Sequence, residues 1–442
     1  MIRVGIISLG CPRNLVDSEL MLGKLASAGY IIQEEINGCD IAIINTCAFV
    51  EDAKQEAIDV IFKAAQLKKE GAIRKLVVAG CMGQRYAKDL KKDIPEIDAI
   101  LGIDNFKNIE EALLSLKKDE HFMRISSPEA IYSHKDPRFL LTPSHYAYVK
   151  IAEGCRNRCS YCAIYKIRGD FRSRSIESVL SEIRNITPKK KIPELNLIAQ
   201  DTTSYGIDRY GKLKFPLLLR KICKLKRAHW IRLLYTHPKH FSEELIDIIS
   251  KEPSVCKYID LPIQHINDRI LKQMNRKITR KDIEQLIRKL REKIPGVAIR
   301  TSVIVGFPGE KENDFKELLQ FIKYIKFERL GAFIFSREEG TPAFRFKDQI
   351  NEKIKRARFE KLMSLQQEVS KEVNKSFLKK EMKVLIDEKD KAAKGVYIGR
   401  TEYDAPEVDG QVYVHSKKAL RPGEFVKVKI TDTLEYDLVG RT

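Results

Sequence analysis

The sequence predicts an α/β protein in three parts: an N-terminal parallel α/β domain, a central partial (β/α)6 barrel and a small C-terminal antiparallel β-barrel. Three observations support this prediction. Short β-rich runs alternate with helical runs through residues 1–120, which favours a parallel sheet. A strand-then-helix unit then repeats six times, as is typical of a barrel. From residue 375 onward, only short strand-like runs separated by turn residues remain.

We place the domain boundaries where these patterns change. They give an N-terminal domain over 1–120, a linker over 121–140, a barrel domain with a connecting helix over 141–374 and a C-terminal barrel over 375–442. A chain of 442 residues can hold two or three domains with their own cores. No apolar run is as long as a membrane span and no secretory signal precedes the chain. We therefore expect a cytoplasmic protein with reduced thiols and no membrane partner.

Three cysteines of the N-terminal domain each follow a predicted strand. The strands cover 3–9, 40–45 and 75–79, and the cysteines are Cys11, Cys47 and Cys81. Because the carboxyl ends of parallel strands share one edge of the sheet, these thiols should converge in space. Three converging thiolates can hold an iron–sulfur cluster with one iron left open. The alternative is that each cysteine is a small buried hydrophobic residue.

A second cysteine triad follows the first predicted barrel strand. Cys155, Cys159 and Cys162 have the spacing C-x3-C-x2-C in the run GCRNRCSYCAIYKIRG. Thiolates this close on one loop can bind three corners of a cubane cluster and leave its fourth iron open to a small molecule. A disulfide pair or a zinc site are the alternatives. Zinc would require a fourth Cys or His nearby, and none lies between Gly154 and Arg174.

Polar residues cluster where the predicted barrel strands end, and such positions carry the sites of barrel enzymes. We take five of them as candidate cofactor-binding residues: Gln200, Asp201, His265, Arg300 and Gly306. Gly306 opens the run GFPGE, whose glycines could let the backbone approach an adenosine. Each residue also has a structural alternative, as a loop cap or a hydrogen-bonded barrel end. The basic run Arg168, Arg172 and Arg174 could position a substrate anion or anchor the cluster loop.

The charge of the chain is unevenly distributed. The net charge is +20, and residues 151–374 carry 47 Lys and Arg against 28 Asp and Glu. This excess favours a polyanion such as RNA or a ribosome, although a solvated lysine-rich surface is an alternative. The C-terminal region is close to neutral and contains the acidic run Glu402, Asp404, Glu407 and Asp409. We expect this run to be an exposed surface that attracts a basic protein partner, and the helical stretch before the C-terminal barrel to be a solvated connector.

The C-x3-C-x2-C motif resembles that of the radical S-adenosylmethionine enzymes. The resemblance implies that S-adenosylmethionine binds the open iron and is cleaved to a 5′-deoxyadenosyl radical. A second triad in an N-terminal domain is similar to the methylthiotransferases, in which a second cluster handles the inserted sulfur, and the C-terminal barrel resembles their TRAM module. The family usually has a proline where this chain has Tyr165. The implied cofactors are two 4Fe–4S clusters and S-adenosylmethionine, which is both methyl donor and radical source.

Two branches of that family are possible. The runs SLGCPRNLVDSE, INTCAFVEDAK, AQDTTSYG and EYDAPEVDG resemble the branch that methylthiolates the β-carbon of an aspartate in the twelfth small-subunit ribosomal protein. The other branch modifies a transfer RNA adenosine and typically has a glutamine where Pro12 stands here. A non-enzymatic iron–sulfur carrier or RNA-binding protein is a third alternative. The resemblance to these enzymes implies two further partners: an electron donor such as flavodoxin or ferredoxin, and a sulfur source.

Overall fold

Three sheets follow one another along the chain in the computed structural model, which describes residues 1–118, 120–187 and 191–442. The predicted fold class is confirmed: two parallel sheets covered by helices precede a closed barrel of five strands. Among the described residues, no helix is both long and apolar enough to cross a lipid bilayer.

The first sheet is parallel throughout and has the strand order β2-β1-β3-β4-β5-β6. Its strands are β1 (Arg3–Ser8), β2 (Ile31–Gln33), β3 (Ile41–Thr46), β4 (Lys75–Gly80), β5 (Ala99–Leu101) and β6 (Phe122–Arg124). Its helices are α1 (Pro12–Ser27), α2 (Glu51–Lys69), α3 (Cys81–Asp93) and α4 (Asn105–Lys117). The central strands β3 and β4 are buried on both faces, which is why their sequences read as continuous apolar runs. Strand β6 lies inside the predicted linker 121–140.

The second sheet is the partial barrel, with six parallel strands in the order β14-β13-β12-β11-β10-β7. The strands of this domain are β7 (Tyr146–Lys150), β8 (Ala152–Glu153), β9 (Arg172–Ser173), β10 (Ile192–Ile198), β11 (Ala228–Leu233), β12 (Val255–Asp260), β13 (Ala298–Val305) and β14 (Arg329–Ile334). The short strands β8 and β9 pair with each other beside the barrel. The helices of this domain are α5 (Ile164–Ile167), α6 (Ile176–Ile186), α7 (Ile207–Tyr210), α8 (Phe215–Leu225), α9 (Glu243–Lys251), α10 (Asp268–Gln273), α11 (Arg280–Lys293), α12 (Glu312–Ile325) and α13 (Glu352–Lys375).

The helix α13 was expected to be a solvated connector, and this prediction is wrong. It packs against β14 and α12, and its inner side buries Leu362 and Val369 in the barrel domain. Its buried Arg358 donates to the Glu310 carboxylate at 2.7 Å. Lysine and arginine side chains can bury their aliphatic stems while their charged heads find partners, so the spread of basic residues around the helix concealed its packed face.

The C-terminal module is a closed barrel in the order β15-β16-β17-β19-β18. Its strands are β15 (Glu381–Lys389), β16 (Val396–Arg400), β17 (Val412–His415), β18 (Phe425–Thr433) and β19 (Leu438–Arg441). Four of the five pairings are antiparallel, as predicted, but β17 pairs with β19 in parallel. Closure leaves no free sheet edge.

The acidic run of the C-terminal module was expected to be an exposed surface, and for Asp404 and Asp409 this is wrong. The loop between β16 and β17 docks onto the barrel domain. Asp404 is 1% exposed and accepts from Arg329 Nε at 2.7 Å. Asp409 accepts from Arg300 Nε at 3.1 Å and from the Tyr258 hydroxyl at 2.6 Å.

The other two acids of the run also have partners inside the chain. Glu402 accepts from the backbone N–H of Lys257 at 2.9 Å. The exposed Glu407 accepts from the Tyr146 hydroxyl at 2.9 Å. The acids therefore hold the C-terminal module against the barrel, because the barrel strands place basic and phenolic groups opposite them.

Candidate active site between two cysteine triads

One cavity of about 360 Å³ is lined by all six cysteines of the two triads. It lies at the carboxyl ends of the barrel strands, where the N-terminal domain covers the barrel. Its volume is in the range of pockets that hold small ligands. The two triads therefore face a common space, although 73 residues lie between Cys81 and Cys155.

The N-terminal triad converges because each cysteine lies at a strand end of the first sheet. Cys11 caps α1, Cys47 directly follows β3 and Cys81 begins α3. The preceding Gly10 has a φ of +85°, and a Cβ there would meet the Cys47 Cβ at 2.6 Å. Only glycine allows this close approach of the two loops.

Burial and mutual proximity change the acidity of these thiols. Burial, together with the nearby Cys81 and Cys11 thiols, raises the pKa of Cys47 to about 12. For Cys11, burial is outweighed by the Arg13 and Arg168 guanidinium groups, which lower its pKa to about 7. Thiols that repel one another as anions in this way are suited to share a cationic centre.

The second triad lies on the loop between β8 and α5. Burial, together with the nearby Cys159 thiol, raises the pKa of Cys155 to about 11. Cys159 accepts a hydrogen bond from Arg276 at 3.7 Å. The loop is tied to the barrel by Asn157, which donates to the Asp201 carboxylate at 2.8 Å.

The donor sets fit iron–sulfur clusters better than the alternatives. All nine cysteines are free, which excludes a disulfide in either triad. Within the described part of the chain, no three Cys, His, Asp or Glu side chains are arranged to hold a single metal ion. A cubane binds each thiolate through a different iron, so its ligands stand further apart than those of a zinc ion. If a triad held a cubane cluster, its three thiols would leave one iron without a protein ligand. The remaining thiols, Cys39, Cys223 and Cys256, are buried in the cores, as expected for structural residues.

A buried ionic network joins the N-terminal triad to the loop that carries the second triad. Arg168 donates to Asn14 Oδ1 at 2.5 Å and to Asp17 at 3.0 Å, and its Nη2 lies 3.8 Å from Cys81 Sγ. Lys150 and Glu153 complete the network, with Lys150 Nζ at 2.5 Å from the Glu153 carboxylate. The open question about the basic run is thus answered for Arg168: it anchors the cluster loop.

The structure separates the five candidate cofactor-binding residues into two groups. Gln200 and Asp201 line the cavity. His265, Arg300 and Gly306 do not belong to its lining. His265 is fully buried near Glu310, and Arg300 pairs with Asp260 and Asp409. A Cβ at Gly306 would meet the Lys355 side chain at 2.4 Å, so its glycine permits the approach of α13.

Two arginines of the cavity wall, Arg13 and Arg276, were not predicted from the sequence as site residues, whereas Arg168 was considered there as part of the basic run. Two cavity residues other than glycine, Tyr235 and Gln264, also have left-handed backbones, with φ of +59° and +72°. Such conformations are held by their surroundings and are concentrated at functional sites. The Tyr235 N–H donates to Asp260 at 2.7 Å, which fixes its ring under Arg13 at 4.1 Å.

Comparison with protein-family models places three known domains on this chain. Residues 149–322 match the radical SAM superfamily, residues 3–102 match uncharacterized protein family UPF0004 and residues 380–442 match the TRAM domain. With a cysteine triad at the open end of a partial barrel, these matches define a radical SAM enzyme, a class that uses S-adenosylmethionine and a 4Fe–4S cluster. The curated relatives narrow this class further.

Curated relatives match over the whole chain. The proteins named ribosomal protein uS12 methylthiotransferase RimO from Desulforamulus reducens and Clostridioides difficile are 49% and 46% identical to it, and each match covers 100% of this chain. The matches cover 99% and 98% of those proteins. The chain belongs to the family of RimO methylthiotransferases, and it is a transferase.

Solved structures share the fold at low identity. The radical S-adenosylmethionine methyltransferase TsrM from Kitasatospora setae, with cobalamin and a 4Fe–4S cluster bound, has a TM-score of 0.56 at 14% identity. That match covers 90% of this chain and 80% of TsrM. The cobalamin-dependent enzyme OxsB, with S-adenosylmethionine bound, has a TM-score of 0.52 at 14% identity, over 82% of this chain and 56% of its own.

Proposed function

We propose that this chain methylthiolates the β-carbon of an aspartate in ribosomal protein uS12, using two 4Fe–4S clusters. One observation carries the proposal: both cysteine triads line the same cavity. A carbon held there is within reach of two centres at once. This arrangement suits a reaction in which one centre removes a hydrogen from carbon and the other supplies the sulfur that replaces it.

Cys155, Cys159 and Cys162 would hold the cluster that binds S-adenosylmethionine, and Cys11, Cys47 and Cys81 would hold the auxiliary cluster. When bound, these groups supply a 5′-deoxyadenosyl radical, a methyl group and the inserted sulfur. The protein supplies position and shielding. Asn157 and Asp201 fix the loop of the radical triad, and Arg168 fixes that loop against the auxiliary triad.

Closure of the cavity depends on contacts between the N-terminal domain and the end of β14. Glu338 lines the cavity, is 2% exposed and pairs with Arg85 at 2.9 Å and with Lys54 at 3.4 Å. These two cations lie on α3 and α2 of the N-terminal domain. Exclusion of water from such a site protects a reactive intermediate from side reactions.

The proposal implies the following partners: uS12 as substrate, an electron donor such as flavodoxin or ferredoxin, and a sulfur source. Because uS12 is a ribosomal protein, the proposal implies that the reaction takes place in the cytoplasm. A transfer RNA adenosine as substrate, or a carrier function without turnover, are the competing possibilities.

One experiment separates these possibilities. The purified protein, reconstituted without oxygen, is supplied with S-adenosylmethionine, a reductant and either uS12 or transfer RNA. We expect 5′-deoxyadenosine together with a methylthio mass gain on one aspartate of uS12. Modification of an adenosine instead would move the chain to the transfer RNA branch. Absence of S-adenosylmethionine cleavage under conditions that load both clusters would favour a carrier.

A further inference from the structure

Arg13 lies between the two cysteine triads. Its Nε donates to Cys11 Sγ at 3.4 Å, and its Nη1 donates to the carbonyl of Ala199 at 3.0 Å, next to Gln200 on the barrel side. Its guanidinium covers the ring of Tyr235 at 4.1 Å. Arg13 also lines the cavity that the two triads share. The guanidinium therefore faces the space that both centres share.

Apart from the Cys11 thiol, this guanidinium has no acidic partner in the described part of the chain. No Asp or Glu side chain there lies within 4 Å of Arg13, and its Nη2 has no hydrogen-bond partner. Arg168 on the same cavity wall has Asp17 and Glu153. A half-buried guanidinium whose Nη2 is unpaired can bind a carboxylate ligand through charge-assisted hydrogen bonds.

The third arginine of the cavity is placed differently. Arg276 donates to Cys159 Sγ at 3.7 Å and to the carbonyl of Pro262 at 2.6 Å. It therefore lies against the radical triad alone. Arg13, like Arg168, contacts elements of both domains, but unlike Arg168 it forms no ion pair with an Asp or Glu of the described residues.

The chemistry of the proposed substrate requires a cation at this place. In aspartate, the β-carbon is bonded directly to the carboxylate carbon. A β-carbon held between the two triads brings its carboxylate to the neighbouring wall, and a buried carboxylate needs a charged partner. The planar guanidinium matches a carboxylate through two parallel hydrogen bonds, which also fixes the orientation of the side chain.

We propose that Arg13 binds the carboxylate of the substrate aspartate and so selects aspartate and orients its β-carbon. This inference rests on the function proposed above. It makes Arg13 a specificity-determining residue that contacts the substrate.

The test is a double-mutant cycle of binding with the full chain carrying its clusters, in the presence of S-adenosylmethionine. Wild type and Arg13→Gln are each titrated with uS12 and with uS12 that has asparagine at the target position. We expect Arg13→Gln to weaken binding of the aspartate form about 10-fold to 100-fold, the usual worth of a hydrogen bond to a charged group. Binding of the asparagine form should change less than about threefold. Arg13→Lys should keep part of the preference for aspartate over asparagine, because it keeps the positive charge but cannot donate two parallel hydrogen bonds to the carboxylate.

Arg337→Gln is the matched control, because Arg337 is exposed and lies beside the cavity wall without lining it. It should affect both forms of uS12 equally. Equal weakening of both forms by Arg13→Gln would overturn the proposal, because it would indicate a structural role. Unchanged discrimination, or a loss confined to S-adenosylmethionine affinity, would also overturn it. Iron content is measured for every variant. If Arg13→Gln does not load its clusters, wild type is compared with Arg13→Lys instead. The proposal is contradicted if Arg13→Lys prefers the aspartate form of uS12 as strongly as wild type does. It is also contradicted if neither protein prefers the aspartate form.

Failure of the proposed function gives a different result. In that case wild type does not methylthiolate uS12, whatever residue stands at position 13. If wild type modifies uS12 and Arg13→Gln still prefers aspartate as strongly, only the role of Arg13 is lost.

Discussion

Asp409 of the C-terminal module and Arg300 of strand β13 form a hydrogen-bonded ion pair at 3.1 Å. The pair begins a chain of contacts that reaches the cavity. Arg300 also bonds Asp260 at 3.1 Å, and Asp260 accepts the N–H of Tyr235, whose ring supports Arg13. The last module of the chain thus contributes to the position of a side chain beside Cys11.

We predict that Asp409→Asn will loosen the docked C-terminal module. The change removes the charge opposite Arg300, which keeps Asp260 as its remaining partner. We expect a loss of about 1 kcal/mol in the free energy of unfolding, because Arg300 and Tyr258 then donate to a neutral acceptor while Arg300 keeps Asp260. Guanidinium denaturation measures it, and amide exchange should increase in β12 and β13. Glu407→Gln is the control, because Glu407 is exposed and makes a single bond to Tyr146. A loss no larger than that of the control would mean that the Asp409 pair is not needed for docking.

Removal of the second triad should abolish radical formation. Changing Cys155, Cys159 and Cys162 together to Ala should halve the iron of the reconstituted protein, because the other triad keeps its ligands. Formation of 5′-deoxyadenosine should fall to background. Iron analysis and chromatography of the products measure both effects. Full iron in the triple variant would show that these thiols are not the ligands.

Removal of the N-terminal triad should separate cleavage from sulfur insertion. With Cys11, Cys47 and Cys81 changed to Ala, cleavage of S-adenosylmethionine should continue, because the radical triad lies on its own loop. The methylthio product should disappear, as followed by mass spectrometry of uS12. Product at the normal yield would reduce these cysteines to a structural role.

The contact between Glu194 and the C-terminal module should make docking sensitive to acid. Glu194 is fully buried and pairs with Arg232 and Arg400, each at 2.7 Å. Burial raises its pKa, but the two arginines outweigh burial and lower it below the usual 4.5. A lowered carboxyl pKa adds stability that is complete above about pH 4.5 and is lost as the pH falls through the lower, folded-state value.

Glu194→Gln should therefore be less stable than wild type at pH 7, and the difference should shrink below pH 4.5. Comparing the two proteins at the same pH removes contributions that both share, including loss of clusters in acid. A difference that stays constant from pH 7 to pH 3 would contradict the assignment.

The sequence predicted the cysteines of the site because their placement follows from local rules. The carboxyl ends of parallel strands share one edge of the sheet, so the convergence of Cys11, Cys47 and Cys81 could be predicted from their positions after three strands. The cysteines of the second triad lie close together in the sequence. Whether each triad holds a cluster stays a prediction until iron is measured. The strands of the barrel were equally clear, since burial on both faces leaves apolar runs in the sequence.

The parts that could not be predicted depend on contacts between distant segments. Arg168 and Asp17 are 151 residues apart, and Asp409 and Arg300 are 109 residues apart. An acidic run looks like a solvated surface unless the basic strand ends that face it are known. Changing all four acids to Lys would therefore destabilise the docked C-terminal module, whatever its effect on a partner protein, because Arg300 and Arg329 would each face a new cation.

The docked loop between β16 and β17 has a consequence for the order in which the chain matures. Barrel strands can form as soon as they are synthesised, since domains fold as units from the N-terminal end. Arg300 and Arg329, however, obtain Asp409 and Asp404 only after the C-terminal module has been made. Until then, one end of the barrel remains open to water. The nascent enzyme therefore closes last the end of the barrel that lies opposite its cavity, because Arg300 and Arg329 stand near the starts of β13 and β14.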